Sequence, residues 1–83
     1  MPTYEVRILP TALKDVGRMS PDVARRVVRK IEGLQNNLAG DVKRLVDFHP
    51  PYRLRVGDWR VLFDIVGPRV LVQRVLHRSQ AYD

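Results

Sequence analysis

The chain contains no cysteine, and none of its apolar runs approaches the roughly 20 residues that a helix needs to span a bilayer. Without cysteine it can form no disulfide bond and has no thiolate to act as a nucleophile or a metal ligand. The N-terminal segment MPTYEVRIL also lacks the basic flank and long apolar stretch of a secretory signal. Stability must therefore come from side-chain packing, and we expect a cytoplasmic protein that does not associate with a membrane.

Acidic residues are scarce relative to basic ones. There are 15 lysines and arginines against 9 aspartates and glutamates, a formal net charge of +6, and no acidic tail offsets it. A nucleic acid is the natural partner to consider, although an excess of this size also occurs on proteins that bind none. With 83 residues the chain is long enough for one small core and too short for two. Residues 1–83 are therefore predicted to form a single domain.

The first half of the chain has the pattern of one strand and two helices. Thr3 to Leu9 alternates like a short strand. Thr11 to about Met19 has apolar residues near helical spacing. Ser20-Pro21 predicts the start of a second helix, because serine can cap free N–H groups and proline suits the first helical position. The apolar stripe of this helix runs to about Ala39, and Gly40 is a plausible stop.

The second half of the chain changes to the alternation of strands. Four strand-like runs follow one another, namely Val42 to Val46, Tyr52 to Val56, Trp59 to Val66, and Arg69 to about His77. The order β-α-α-β-β-β-β predicts an α+β domain. In it an N-terminal strand and a two-helix hairpin precede an antiparallel four-strand meander, and the helices pack on one face of the sheet.

The stretch YRLRVGDWRVLF predicts a hairpin with one apolar and one basic face. If Gly57-Asp58 is a two-residue turn, Arg55 pairs with Arg60. Directly paired residues share a face, so Tyr52, Trp59, Phe63 and most aliphatic side chains fall on the core side. Arg53, Arg55, Arg60, Leu62 and Asp64 fall on the other. A slip of one residue would bury the arginines, so the apolar pattern specifies this register strongly.

Two interpretations of the basic face stay open at this point. Arg55 opposite Arg60 is unfavourable in itself, because like charges across a strand pair are mildly destabilising. A bound phosphate would compensate, since guanidinium groups match its oxygens and keep their charge. Alternatively the face is simply solvated, with Asp58 or Asp64 as partners and the arginine stems covering apolar surface.

The register of the last strand decides where His77 lies. Extended through Gly67-Pro68, it pairs Arg60 with Val75 and puts His77 on the arginine side. It also sends Arg74 toward the core side, an awkward placement that points to an edge location or a different turn. A lone histidine near a strand end is more often structural or solvated than catalytic.

YRLRVGDWRVLFDI, followed by a short turn, an apolar strand and HRSQAY, resembles the RelE side of the RelE/ParE toxin superfamily of bacterial type II toxin–antitoxin pairs. The resemblance covers essentially the whole chain, and its most specific parts are R-x-G-D-aromatic-R-V and H-R-x-x-A-Y. It implies a ribonuclease that cuts messenger RNA, commonly in the ribosomal A site, with no metal and no other cofactor. It also implies a cognate antitoxin, which often acts with the toxin as a repressor on operator DNA.

The resemblance also implies roles for individual residues. It makes Arg60, Arg78 and Tyr82 catalytic, and it makes Arg53 and Arg55 ligands of RNA phosphates. Cleavage by the ribose 2′-OH needs a base and an acid, and arginine is an inefficient base because it stays protonated. Tyr82 or His77 is therefore left for proton transfer, with the two roles unassigned. Some relatives use a glutamate base, and the sequence pattern shows none at a suitable place.

Two other classes of protein compete with this interpretation. A ParE-like inhibitor of DNA gyrase shares the fold without RNA chemistry, but HRSQAY favours RelE. A generic RNA-binding module or inactive relative would present exposed aromatic residues for stacking, whereas the hairpin register puts them on the core side. The basic run Arg25, Arg26, Arg29 and Lys30 on the second helix is either solvated or a contact for an acidic antitoxin segment.

Overall fold

Five strands form one sheet, and two helices cover one of its faces. The computed structural model describes residues 3–81. Its elements, in chain order, are β1 (Glu5–Ile8), α1 (Pro10–Gly17), α2 (Pro21–Glu32) with a 3₁₀ turn at Gly33–Gln35, β2 (Asp41–Arg44), β3 (Tyr52–Val56), β4 (Trp59–Val66), β5 (Arg69–His77) and α3 (Arg78–Ala81). In this part of the chain, no helix is long and apolar enough to cross a membrane.

The strands lie in the order β1-β5-β4-β3-β2. Strands β2 to β5 form the predicted antiparallel meander, and β3, β4 and β5 have the predicted limits. Strand β1 joins β5 in parallel, so the sheet is mixed rather than antiparallel throughout. The sequence pattern does not predict this pairing, because β1 and β5 lie at opposite ends of the chain and local alternation does not show which distant strands pair.

The core lies between the sheet and the helix pair. On the helix side, Val27, Ile31 and Leu34 are fully buried and stand three or four residues apart, so one stripe of the second helical segment faces the sheet. On the sheet side, alternate residues of the strands point inward. The buried strand residues of this cluster are Leu54, Val56, Val61, Phe63, Val70, Val72 and Val75.

The second helix is shorter than the sequence predicts. It ends at Glu32 instead of about Ala39, and the chain continues as a single 3₁₀ turn. Glycine at 33 and the Asn36-Asn37 pair are poor helix formers, and Asn37 and Leu38 adopt positive φ values of 56° and 59°. Pro21 occupies the first turn as predicted, but the Ser20 side chain makes no capping hydrogen bond.

A β-bulge changes the predicted register between β4 and β5. Leu62 pairs with Arg74, but the next residue, Phe63, pairs with Val72, so Gln73 is an extra residue on β5. The bulge also moves Arg74 to the face that Leu62 occupies, instead of the core side. Between the bulge and the Gly67-Pro68 turn, the predicted pairing of β4 with β5 is correct. On the other side of the bulge, the predicted pairing is shifted by one residue.

The predicted placement of His77 is therefore wrong. Arg60 pairs with Leu76 rather than with Val75, and His77 pairs with Trp59. Because side chains alternate between faces, this shift of one residue carries His77 from the arginine side to the helix side. Its ring meets that of Trp59 edge-on, with the centroids 5.5 Å apart.

Asp15 on α1 closes the edge of β5 where β1 has ended. Its carboxylate accepts hydrogen bonds from Arg74 Nε (2.9 Å), Arg74 Nη2 (3.1 Å) and the main-chain N–H of Val75 (2.8 Å). The Asp15 side chain is only 7% exposed. Burial by itself raises the pKa of Asp15, but the hydrogen bonds from Arg74 and Val75 outweigh it and hold the pKa below its usual value. This contact anchors α1 against the end of the sheet.

We expect Asp15→Asn to lower the free energy of unfolding by about 1–3 kcal/mol at pH 7, because a buried, charged acceptor of three hydrogen bonds is lost. A carboxyl group whose pKa is lowered by folding stabilises the protein fully above its ordinary pKa of about 4, and this contribution disappears as the pH falls through the folded-state pKa. The difference between the two proteins should therefore shrink in acid. Urea titrations at pH 7 and pH 3 measure it.

The matched control is Glu5→Gln, which removes an exposed carboxylate paired with Arg7 and Arg69. It should change stability little at either pH, since exposed ion pairs are worth little. A deficit of Asp15→Asn that stays the same at both pH values would show that packing, and not charge, explains the contact.

Candidate functional site

The face of the sheet opposite the helices brings together charged residues from three strands. The register pairs Lys43 with Arg53, Asp41 with Arg55, and Arg55 with Arg60. Because paired residues share a face, these five side chains form one group, which we call the arginine face. The predicted grouping of Arg53, Arg55 and Arg60 is confirmed. Asp41 and Lys43 join it because β2 extends the meander, a register that the sequence pattern left undefined.

Arg53 is largely committed to the protein itself. Its Nη1 donates to the main-chain oxygen of Asp41 (2.8 Å) and to the Asp41 carboxylate (3.2 Å). The Arg53 side chain is only 13% exposed, and among the described residues its buried Nε has no hydrogen-bond partner. Arg53 therefore links β2 to β3 and holds the carboxylate of Asp41 on the arginine face.

Arg60 is oriented by the hairpin turn. Its Nη1 donates to the main-chain oxygens of Gly57 (2.8 Å) and Trp59 (3.0 Å). Within residues 3–81 its other guanidinium nitrogens have no protein acceptor. Holding one nitrogen in this way leaves the remaining N–H groups in a preset direction, the arrangement that suits a bound anion.

Arg55 lies between a carboxylate and a second cation. Asp41 is opposite it on one neighbouring strand and Arg60 on the other. Its exposed side chain makes no hydrogen bond or ion pair with any described residue. Asp41 is thus the acidic residue that lies opposite the Arg55–Arg60 pair. Asp58 and Asp64, which the sequence pattern suggested as partners, do not have this position. Since Asp41 is itself paired with Arg53, the compensation is incomplete.

A buried apolar residue lies beneath these charges. Leu62 is on the same face as its pairing partner Arg53 and is 3% exposed, although it does not belong to the core cluster. Arginine stems commonly cover such apolar surface while their charged ends reach solvent. An apolar base strengthens the interaction of these ends with an anion, because the local dielectric constant is lower than in water.

The C-terminal residues lie beside the β3–β4 turn and on the helix side of the sheet. Arg78 begins α3, and its main-chain N–H donates to the Asp58 oxygen (2.7 Å), which anchors α3 at the β3–β4 turn. The Arg78 side chain is exposed and has no partner among the described residues. His77 lies on the helix side, with Nδ1 2.9 Å from the Ser79 hydroxyl. Tyr82 lies outside the described residues.

Comparisons with known proteins show the family to which the chain belongs. A family model described as the ParE toxin of the type II toxin-antitoxin system, parDE, matches residues 6–82. The chain belongs to the RelE/ParE toxin superfamily. Among curated members of the superfamily, toxin RelE3 of Methanocaldococcus jannaschii is 32% identical over 84 residues, which cover 95% of this chain and 96% of that protein.

Solved structures of the superfamily have the same fold. In the RelBE2 toxin–antitoxin complex of Mycobacterium tuberculosis, the matching chain is 29% identical with a TM-score of 0.79, and the match covers 94% of this chain and 100% of that one. In the RelB–RelE complex of Methanococcus jannaschii the identity is 32%, the TM-score 0.71 and the coverage 87% and 89%. The expected RelE-like α+β architecture is therefore confirmed, and this chain is a RelE-like toxin of the type II class.

Proposed function

We propose that this RelE-like toxin is an endoribonuclease that cleaves messenger RNA in the ribosomal A site and thereby inhibits translation and growth. The observation that carries the proposal is the arginine face, where Arg55 and Arg60 keep unused N–H groups beside the carboxylate of Asp41. Messenger RNA and the ribosome are then its working partners, and the cytoplasm is where it acts.

The reaction we propose is attack of a ribose 2′-OH on the adjacent phosphate with departure of the 5′-oxygen. The phosphorane-like transition state carries extra negative charge, and guanidinium groups aimed at it in advance stabilise it without further reorganisation. Arg60 and Arg78 fit this role, since the Arg78 guanidinium and all but one nitrogen of the Arg60 guanidinium have no partner among the described residues. Arg55 positions the RNA backbone, while Arg53 contributes mainly by holding Asp41.

Proton transfer is assigned to Asp41 and Tyr82 rather than to His77. A general base must lie within reach of the proton that it removes. The carboxylate of Asp41 is on the arginine face, 58% exposed and held by Arg53, whereas the ring of His77 is on the other side of β5. Asp41 is thus proposed to accept the 2′-OH proton. Tyr82 is proposed as the acid on the strength of the family resemblance.

We expect Arg60→Ala to lower the rate of RNA cleavage at least 10²- to 10³-fold, because a transition-state donor is lost. The fold should survive, as judged by circular dichroism. Cleavage is measured in a translating extract and on free RNA, with the product ends determined, and these should be 2′,3′-cyclic or 3′-phosphates. The charge-matched control Lys14→Ala, on α1, should cut at the normal rate. Wild-type cleavage by Arg60→Ala, or products ending in 3′-OH, would contradict the scheme.

The second candidate function is inhibition of DNA gyrase. It is favoured by one observation, the match of residues 6–82 to a family model described for ParE toxins. The same preparation separates the two candidates. Gyrase trapped on cleaved DNA, with RNA left intact in both assays, would make the toxin a gyrase inhibitor.

A second prediction for the reaction concerns the proposed base. Asp41→Asn should lower the single-turnover cleavage rate by about 10²- to 10⁴-fold, the usual contribution of a positioned proton acceptor. Affinity for an uncleavable 2′-O-methyl oligonucleotide should stay the same or rise, since a negative charge leaves the binding face. Asp47→Asn is the matched control, because Asp47 is exposed in the β2–β3 loop and asparagine tolerates its positive φ of 53°. A normal rate for Asp41→Asn would leave the base unidentified.

We also propose that a cognate antitoxin binds the outer side of α2, as the matching solved structures are themselves toxin–antitoxin complexes. A shallow groove there has an apolar base of Ala24 and Val28 between Arg25, Arg29 and Glu32. An amphipathic segment with apolar residues facing the groove and acidic residues beside it would complement this surface. Operator DNA would be contacted only through that complex.

Arg29→Glu is expected to weaken the complex with the product of the neighbouring gene about tenfold or more, because a favourable rim charge becomes a repulsive one. Isothermal titration with the purified pair measures this. Lys14→Glu on α1 makes the same change of charge away from the groove and should bind normally. Equal affinities of the two variants would exclude the outer side of α2 as the docking surface.

A further inference from the structure

A cleft opens at the edge of the sheet beside α1, where β1 has ended, and residues from both faces of β5 line it. It lies at the end of β5, between α1, the first residue of β4 and α3, and has a volume of about 180 Å³. We call it the end cleft and define it by Arg18, Trp59, His77 and Gln80, with Met19 in its apolar part. Pockets for drug-sized ligands enclose about 300–1,000 Å³, so this one has room for a single small ring system.

Aromatic rings form one wall of the end cleft. Trp59 is half-buried, and the His77 ring meets it edge-on with an interplanar angle of 88°. The indole N–H of Trp59 donates to no acceptor within residues 3–81. A flat ring entering the cleft can therefore stack or pack edge-to-face against these rings, which is how proteins hold unpaired RNA bases.

The polar groups at the rim also fit a base. Arg74 and Asp15 line the cleft but are paired with each other. Arg18 and Gln80 are exposed, and their side chains make no hydrogen bond with any described residue. Arg18 offers donors, and the Gln80 amide offers both a donor and an acceptor. A phosphate or carboxylate would use only the donors, and an aliphatic side chain would use neither. The edge of a nucleobase uses both.

The cleft and the arginine face adjoin each other at the same end of the sheet. Trp59 directly precedes Arg60, and Leu76, the pairing partner of Arg60, also lines the cleft. Since neighbouring side chains of a strand point to opposite faces, a chain that passes over this end meets the cleft on one side and the free arginines on the other. A single strand of RNA has this form, with a phosphate and a base in each repeat.

We propose that the end cleft is a nucleobase subsite that holds the base of a nucleotide next to the cleaved phosphate. The inference rests on the proposed function, because it takes the RNA on the arginine face as its ligand. It gives His77 a place in base recognition instead of proton transfer. It also makes Trp59, Arg18 and Gln80 determinants of sequence preference.

Trp59 is the only tryptophan of the chain, so its fluorescence reports on the cleft directly. The probes are uncleavable 2′-O-methyl oligonucleotides of five residues, compared with the same oligonucleotides carrying one abasic position. We expect the complete oligonucleotide to quench the fluorescence of Trp59. When the base that enters the cleft is missing, at one of the abasic positions, this quenching should be lost. Loss of the stacked base should weaken binding about 5- to 150-fold.

The variants Arg18→Ala and Gln80→Ala test the rim, and both change exposed side chains, so the fold should be retained. Each should weaken binding of the complete oligonucleotide severalfold and leave binding of the abasic one unchanged. Trp59→Leu has no tryptophan signal, so its binding is followed by the anisotropy of a fluorescein label on the oligonucleotide, and it should bind the complete and abasic probes equally. Lys14→Ala, also on the helix side, should behave like the unmodified toxin.

Equal quenching by complete and abasic oligonucleotides would overturn the subsite, even if RNA cleavage is normal. Quenching by the purified antitoxin alone, with no response to any oligonucleotide, would make the cleft a protein contact and also overturn it. Base-dependent quenching by a protein that cuts no RNA would support the subsite while the proposed cleavage fails. The two failures are thus separable.

Discussion

The rest of the structure depends on the pairing of β3 with β4 across Gly57-Asp58. Gly57 has a φ of 59°, a left-handed backbone conformation that suits a residue without a Cβ. From this turn outward the register places the apolar residues of both strands against the helices, except for Leu62 on the arginine face and the exposed Val66. The same register gathers the arginines on the other face. The same strand register therefore determines both the apolar core and the cluster of arginines, and a change of register would alter both.

The arginine face combines two kinds of cation. Arg53 is hydrogen-bonded to Asp41 and so connects β2 to β3, whereas Arg55 has no protein partner among the described residues. Arg60 is intermediate, with one nitrogen fixed by the turn and the others available. A face built only for solubility would not need this division. The division suits a site in which some charges must be held still so that others can meet a ligand.

At the end of β5, a single extra residue changes which face of the sheet the following side chains occupy. Without the bulge at Gln73, His77 would join the arginines, as the simple alternation predicts. With the bulge it joins Trp59 on the helix side, and Asp15 bonds to Arg74 and to the Val75 N–H that no longer has a strand beside it. The bulge therefore separates a charged face from an aromatic cleft at the same end of the sheet.

The sequence by itself determined the hairpin, the limits of β3 to β5, the faces of Arg53, Arg55 and Arg60, and the resemblance to the superfamily. These follow from alternation and turn residues, which act over a few neighbouring positions. Only the tertiary structure decided the parallel pairing of β1 with β5, the placement of His77, and the approach of Asp41 to the arginines. Each of these depends on a bulge or on strands that meet only after folding, and no short stretch of sequence encodes such a contact.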